Sequence, residues 1–403
     1  MSKEMKESKI PWVGNIPYTW HTEKIKYLAD STQENSFMDG DWIESPYITD
    51  VGIRYYTTGN IGDGVFKEQG NGYISQDTFE KLNCKYAYPD DFVIARLNTP
   101  FGRACILPNE SDKYVLAVDI VILRTKENKK YLNYLMQCEG YHAAVGELAR
   151  GTTMLRISRS NLGNIHLPIP PRTEQDTIVK YLDKYCNAID SSISRHQQII
   201  EKLEEYRRSV ITETLSGNND EVRIHLQSIK VKYLISSIHS GDSLNADEID
   251  NESAFPVYGG GKSLGRCKKY NVCDVIVIGR VGANCGCVTN IHGKAWATDN
   301  ALVVTTYNNQ NYLSFLLGST NLRSNDNATA QPLVTGTKIR NTRVMATTDP
   351  QEQQYIAQYL TRINEEVNQR ISQHFQMIAK LQEYKQSLIY NAVTGKIDCR
   401  AAE

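Results

Sequence analysis

Arg150, Arg156, Arg159 and Arg172 fall within Leu148–Thr173, a stretch without a single Asp or Glu. Lys338, Arg340 and Arg343 fall within a second acid-free stretch, Asn327–Thr348. Both are dense in Ser, Thr and Asn. Cations that no neighbouring carboxylate cancels, mixed with short hydrogen-bonding side chains, suit phosphate oxygens and base edges. One such stretch alone is as easily a solvated basic loop. Its recurrence at the same place in two halves of the chain favours a nucleic-acid face. The candidate contacts are Arg96, Arg103, Arg150, Arg156 and Arg159, then Lys262, Arg266, Arg280, Lys338 and Arg340. Arginine is preferred because its fork bonds guanine edges or phosphate with two parallel N–H groups. Arg96 and Arg280 follow apolar runs and have a second available role, pairing with a buried carboxylate.

Other suggestive groupings fail on spacing. Gly259-Gly-Gly-Lys-Ser263 looks like the end of a phosphate-binding loop, but that pattern needs a glycine where Pro256 stands. It reads as a tight turn. Asn15-Ile-Pro-Tyr18 lacks one proline of the box that holds a target amine in adenine-N6 methyltransferases, and no glycine-rich cofactor loop accompanies it. Cys267, Cys273, Cys285 and Cys287 do not have paired-knuckle zinc spacing. No His-Glu-x-x-His or Gly-x-Ser-x-Gly pattern occurs. Nothing points to catalysis, and neither a metal nor a cofactor is expected.

The elements that must position the basic stretches are legible as a repeat. Glu174–Gly217 moved forward by 178 residues lands on Glu352–Gly395 without a gap, matching at 17 of 44 positions. Apolar residues in each copy recur at alternating four- and three-residue spacing, which predicts one long helix with a narrow seam suited to a coiled coil. The expected seam includes Leu182, Ile189, His196, Leu203 and Tyr206, answered by Leu360, Val367, His374, Leu381 and Tyr384. Pro170-Pro171 and Pro350 precede the helices, and Gly217 and Gly395 follow them. Forty helical residues span about 60 Å. Antiparallel packing about the repeat centre would bring His196 toward Arg370 and Ser192 toward His374, a polar layer that fixes register.

Around the helices lie two larger segments. The first opens with Ile10–Trp20, whose two prolines and two tryptophans predict an extended strip pinned by aromatic anchors. Strands are predicted at Phe92–Ala95 and Val118–Leu123, and a helix at Lys129–Glu147. The second segment echoes the first. Ile25–Leu28 is answered by Val231–Leu234, Asp91–Arg96 by Asp274–Arg280, and Ala117-Val-Asp119 by Ala297-Thr-Asp299. In both segments a glycine (Gly102, Gly286) follows the arginine by six residues.

Composition sets outer limits. Lys and Arg number 45 against 46 Asp and Glu, so a nucleic-acid surface must be local or shared with a partner. Apolar runs are too short to span a bilayer, the first residues lack a signal-peptide core, and nine scattered cysteines fit a reducing compartment. A cytoplasmic chain without membrane contact is expected.

The run from Gly151 to Gln175 (GTTMLRISRSNLGNIHLPIPPRTEQ) resembles the end of a target-recognition domain in type I restriction–modification specificity subunits. So do the opening Ile10–Trp20 strip, the turn Phe255-Pro-Val-Tyr-Gly-Gly260, and the helix endings Leu203–Ile211 and Leu381–Ile389. The resemblance spans essentially the whole chain. The second copy departs at Thr347–Gln353, where the Leu-Pro-x-Pro-Pro run is degraded. The resemblance implies an α+β fold of two globular target-recognition domains joined by two long antiparallel coiled-coil helices in a pseudo-twofold repeat. The expected bounds are 1–171 and 218–349 for the domains, 172–217 and 350–396 for the helices, and 397–403 for a tail. It further implies a non-catalytic subunit reading a bipartite, asymmetric double-stranded DNA site. Two methyltransferase subunits would dock on the helices, restriction subunits would join through the assembled complex, and cofactors would belong to those partners. Two differing readers on a long rod could address successive major grooves, which recur every ~34–36 Å. An enzyme that both binds and methylates, and a structural coiled-coil adaptor, are the rival readings.

Overall fold

The computed structural model describes residues 4–70, 72–151, 155–222, 224–323 and 333–402. Thr152, Thr153 and Met154 of the first basic stretch, and residues 327–332 of the second, lie outside the described residues. The chain is α+β and forms two compact units, Met1–Ser194 with Ile378–Glu403, and Arg195–Met377. The division falls inside both long helices, so each unit owns a part of each.

Those helices run from Arg172 to Ser216 and from Pro350 to Val393. The start of each is held by a buried glutamine. Gln175 accepts from the Asn128 N–H (2.8 Å) and donates to Pro170 O (2.9 Å). Gln353 accepts from the Asn309 N–H (3.1 Å) and donates to Thr347 O (2.9 Å). A buried amide bonded at both ends avoids the desolvation penalty of an unpaired one. It also ties each helix to the loop before a shorter helix, Lys129–Leu135 in the first unit and Gln310–Ser319 in the second.

Within the second unit the helices run antiparallel, since His196 meets His374 and Arg207 meets Asn368. The seam keeps its alternating spacing, and the row through Leu182, Ile189, His196 and Leu203, with its counterpart in the second helix, lies where expected. Toward the helix centres the alternate row sits one residue later, at Ile200 and Ile378 in place of the expected Ile199 and Met377. Ile200 and Ile378 are buried, while their neighbours Ile199 and Met377 are exposed. Leu182, Ile189, Leu360 and Val367 are buried, and Leu203 and Leu381 partly so. Tyr206 and Tyr384, expected in the seam, are 51% and 57% exposed. Arg207 and Lys385 take the inner positions. Their charged heads reach Asn368 (3.0 Å) and Asp190 (2.7 Å) while the aliphatic stems cover the seam. The polar layer is also differently made. His196 and His374 face each other with Nδ1 atoms 2.8 Å apart, and Arg370 is exposed.

The two units share a strand order. In the first, Phe37–Asp39, Ile120–Leu123, Phe92–Ala95 and Ala104–Ile106 form an antiparallel sheet in that order. In the second, Ser237–Ser240, Ala301–Thr305, Val272–Gly279 and Val288–Ala297 repeat it. A hairpin then joins in parallel. Tyr56 pairs with Leu116 in the first unit, and Tyr258 with Ala297 in the second. In the second unit Val288–Ala297 serves both sheets and fuses them into one of six strands. In the first unit the equivalent strand is cut into Ala104–Ile106 and Tyr114–Leu116. Pro108 falls in the gap and cannot donate to a ladder.

Two local expectations differ. The strand expected from Val118 begins at Ile120, because Ala117 accepts from the Ile120 N–H in a turn. The helix expected over Lys129–Glu147 is broken into Lys129–Leu135 and Glu139–Glu147 by an extended Cys138. Trp12 packs so closely on Gly140 that a Cβ there would lie 2.6 Å from it. The opening strip is pinned as expected. Met5–Glu7 pairs with Asn15–Pro17, and buried Trp20 donates to Glu174 Oε2 at 3.0 Å. No helix among the described residues is long and apolar enough to cross a membrane.

Candidate nucleic-acid interface

The strand Phe92–Ala95 is buried on both faces and delivers Arg96 to the end of its sheet. The Arg96 N–H bonds Asp119 O (2.8 Å), and its carbonyl accepts from Ile157 (3.0 Å). The same two bonds recur in the second unit, where Arg280 bonds Asn300 O (2.9 Å) and accepts from Val334 (2.9 Å). Asp119 is thus matched by Asn300 and not by Asp299. The structural register lies one residue beyond the sequence echo Ala117-Val-Asp119/Ala297-Thr-Asp299. The segments after Ile157 and Val334 each begin a short helix, Arg159–Gly163 capped by Ser158 and Gly336–Asn341 capped by Thr335.

Side chains at these matched positions differ. Arg96 is 3% exposed. It donates to Ile157 O (3.0 Å) and Val118 O (2.7 Å), and its Nε lies 3.1 Å from Asp39 Oδ1. Burial lowers its pKa, and the Asp39 carboxylate works in the opposite direction. Arg156 Nε contacts Asp119 Oδ1 at 2.6 Å, and Arg159 Nε lies 3.7 Å from Asp39 Oδ2. Arg150 is exposed and pairs with Arg156 through backbone bonds in both directions (2.9 Å). Three candidates, Arg96, Arg156 and Arg159, therefore meet around two aspartates. Arg150 adjoins them through its backbone pairing while its guanidinium donates to Glu147 O and Ala149 O (2.8 Å each). Arg96 is an internal strut there, and the other three are open to solvent at least in part. Arg103 sits on the adjoining loop, reaching Thr99 O (3.2 Å) and Thr58 O (3.4 Å). Burial lowers its pKa, with Asp63 acting the other way.

In the second unit Ser240 replaces Asp39, Asn300 replaces Asp119, and Leu333 and Gly336 stand where Arg156 and Arg159 do. Arg280 is half-buried and donates to Ser240 Oγ (3.3 Å). Lys338 and Arg340 ride on the short helix that follows. Lys262 is exposed at the tip of the Phe255–Cys267 hairpin, whose Gly260 and Gly261 turn against Gly279 and Asn284. Arg280 and the hairpin tip of Lys262 lie at one end of the sheet, and the segment leading into the helix of Lys338 and Arg340 is bonded there through Val334. Arg266 does not join them, because its guanidinium is tied to the carbonyls of Ser253 and Ala254 in its own hairpin.

The aspartates were not among the residues singled out by sequence, and a signal for one existed. Asp39-Gly40-Asp41 and Ser240-Gly241-Asp242 hold the same place. At Gly40 a Cβ would lie 2.3 Å from Leu116 O, and at Gly241 2.2 Å from Ala297 O. A Gly-Asp pair repeated ahead of each sheet marks that crossing. Of the cysteine group, Cys267 and Cys285 are buried and Cys273 and Cys287 exposed. Among the described residues no three metal-ligating side chains converge.

Comparison with known proteins places this arrangement. A family model described as the type I restriction modification DNA specificity domain matches residues 17–205 and again 229–375. A putative type I restriction enzyme specificity subunit of Haemophilus influenzae is 31% identical over 153 residues, covering 37% of this chain and 39% of that protein. The EcoKI specificity subunit of Escherichia coli K12 is 30% identical over 215 residues, covering 52% and 45%. The chain thus spans about half or less of the length of these curated relatives. A chain solved in work on complex assembly and conformational transition of the type I R-M system superposes with a TM-score of 0.71 at 13% identity, over 95% of this chain and 99% of that one. The Thermoanaerobacter tengcongensis HsdS subunit gives 0.51 at 14%, over 95% and 98%. These likenesses concern the fold. Because the family model matches most of the chain, once in each half, the chain belongs to the type I restriction modification DNA specificity domain family.

Proposed function

We propose that this chain is the non-catalytic, sequence-specific DNA-binding subunit of a type I restriction–modification complex. Each sheet unit reads one half of a split, asymmetric target. The long helices set the gap and seat two methyltransferase subunits, and restriction subunits join through the assembly. The domain limits proposed are those of the two sheet-bearing segments, 1–171 and 218–349, with the helices 172–217 and 350–396 between and after them.

One observation carries this reading. A single backbone pattern is built twice, and around its shared arginine the side chains differ: Asp39 against Ser240, Asp119 against Asn300, Arg156 against Leu333 and Arg159 against Gly336. A scaffold kept while its polar end changes is what two readers of different base sequences require, because base edges are told apart by donor and acceptor pattern. In the first unit Asp39 and Asp119 hold Arg156 and Arg159 beside the buried Arg96. The solvent-facing guanidiniums can exchange a carboxylate for phosphate or guanine, both of which accept in the same forked geometry. The near-balanced charge of the whole chain is met by partners that share the phosphate contacts.

The test is a methylation map of genomic DNA from a methylation-null host expressing this chain with its cognate modification subunit, beside a culture lacking the chain. Adenine methylation at one bipartite, asymmetric motif, present only with this chain, is the expected result. With the complex shown to be assembled, no motif-specific methylation would defeat the proposal.

A further inference from the structure

Both units carry a loop directly after the matched arginine, residues 97–103 in the first and 281–287 in the second. Each loop starts beside the basic stretch, with Leu97 bridged to Arg156 and Val281 to Leu333. Each exposes an asparagine beside a small residue at the sheet end, Asn98-Thr99 and Ala283-Asn284. Each closes on its own strand through a glycine, Gly102 N–H to Ala95 O (3.1 Å) and Gly286 N–H to Gly279 O (2.8 Å). These glycines have φ of +77° and +78°. In both, the space a Cβ would need is taken by a side chain from elsewhere. At Gly102 it would meet Tyr141 Oη at 2.7 Å, and at Gly286 it would meet Arg323 Cγ at 3.3 Å.

The residue before each glycine is held at its carbonyl by a nitrogen-bearing side chain. In the first unit His142 Nδ1 lies 2.8 Å from Phe101 O, beside a Tyr141 hydroxyl that donates to Gly102 O (3.2 Å). In the second unit Arg323 donates from Nε to Cys285 O and from Nη2 to Ala283 O. Phe101 and Cys285 are equivalent positions. The other ring nitrogen of His142, Nε2, lies 3.1 Å from Asp63 Oδ1. A carbonyl and a carboxylate can only accept, so the ring makes both bonds only when both nitrogens carry protons. The other charged and titratable groups gathered about this pair are Arg103 from the loop itself and Cys138 and Tyr141 from the helix of His142. All three are coupled electrostatically to Asp63.

We infer that His142 and Arg323 are matched positioning residues, each fixing the loop with which its unit discriminates one half of the DNA target. This rests on the DNA-reading function proposed above. The first loop is held by an imidazole and the second by a guanidinium, each bonded to the carbonyl of the residue before the loop's glycine.

The test uses the assembled complex with its modification subunits and duplexes carrying the methylation-mapped motif, intact or altered in one half. Competition binding gives the discrimination at each half. His142→Ala is expected to reduce it about tenfold or more at one half and leave the other, and Arg323→Ala to do the same at the opposite half. His142→Gln keeps a donor for Phe101 O. It should retain most of the discrimination that His142→Ala loses. Equal loss at both halves from either variant, loss at the same half from both, or no loss would overturn the assignment. If the complex of the unaltered chain prefers no motif, the DNA-reading function itself fails and this inference with it.

Discussion

Arg96 and Arg280 make the same backbone bonds in the two units, yet physically they are different residues. Arg96 is nearly solvent-free and shares its surroundings with Asp39 and Asp119, whereas Arg280 is half-buried and meets a serine hydroxyl. Removing one member of a buried charge cluster strands the others, at a cost of about 3–5 kcal/mol. Removing an accessible arginine with one neutral partner costs about 0.5–1.5 kcal/mol. Arg96→Ala should therefore destabilise the chain markedly and Arg280→Ala only slightly, as read by urea denaturation followed by circular dichroism. Equal losses would show that the aspartates do not matter to Arg96. The sequence offered both roles for these arginines but not the choice between them. Asp39 comes to Arg96 across a sheet from far along the chain, and only the Gly-Asp pair repeated after Asp39 and Ser240 marks the place of that approach.

At the scale of elements, the periodic and punctuated features were legible and their exact phase was not. The repeat, the prolines before the helices and the glycines after them locate both long helices to within a few residues. One row of the buried stripe is displaced because a reading by hydrophobicity prefers Tyr206 and Tyr384 to Arg207 and Lys385. In the folded chain the long aliphatic stems go inward and the polar heads reach out to Asn368 and Asp190. The break at Cys138 and the fused strand Val288–Ala297 were hidden for a related reason. Both depend on what packs against the element, Trp12 in one case and the parallel hairpin in the other. The displaced row predicts a clear contrast. Ile200→Ala should cost about 2–3 kcal/mol and Ile199→Ala under about 1 kcal/mol, with Ile378 and Met377 behaving alike. Thermal unfolding of the four variants measures it, and the opposite ranking would restore the seam expected from sequence.

For the molecule as a whole, the charge balance constrains how DNA could be held. With 45 basic and 46 acidic residues the chain has a formal net charge of −1, so long-range attraction to DNA is weak and binding must come from the local clusters. Those clusters are small and partly neutralised from within, three arginines against two aspartates in the first unit. Each phosphate a protein neutralises adds close to one to the slope of log affinity against log salt. A chain holding DNA through a few arginines should give a shallow slope. The assembled complex, with modification subunits sharing the backbone contacts, should give a steeper one. Fluorescence anisotropy across a salt series, with the chain alone and in the complex on the same duplex, measures both. Replacing Arg150 or Arg159 should lower the slope of either by about one if that residue meets a phosphate. Arg96, being internal, should leave the slope unchanged while weakening the fold. Equal slopes for chain and complex would mean that the partners add no phosphate contacts, and the chain would then have to grip the DNA backbone by itself.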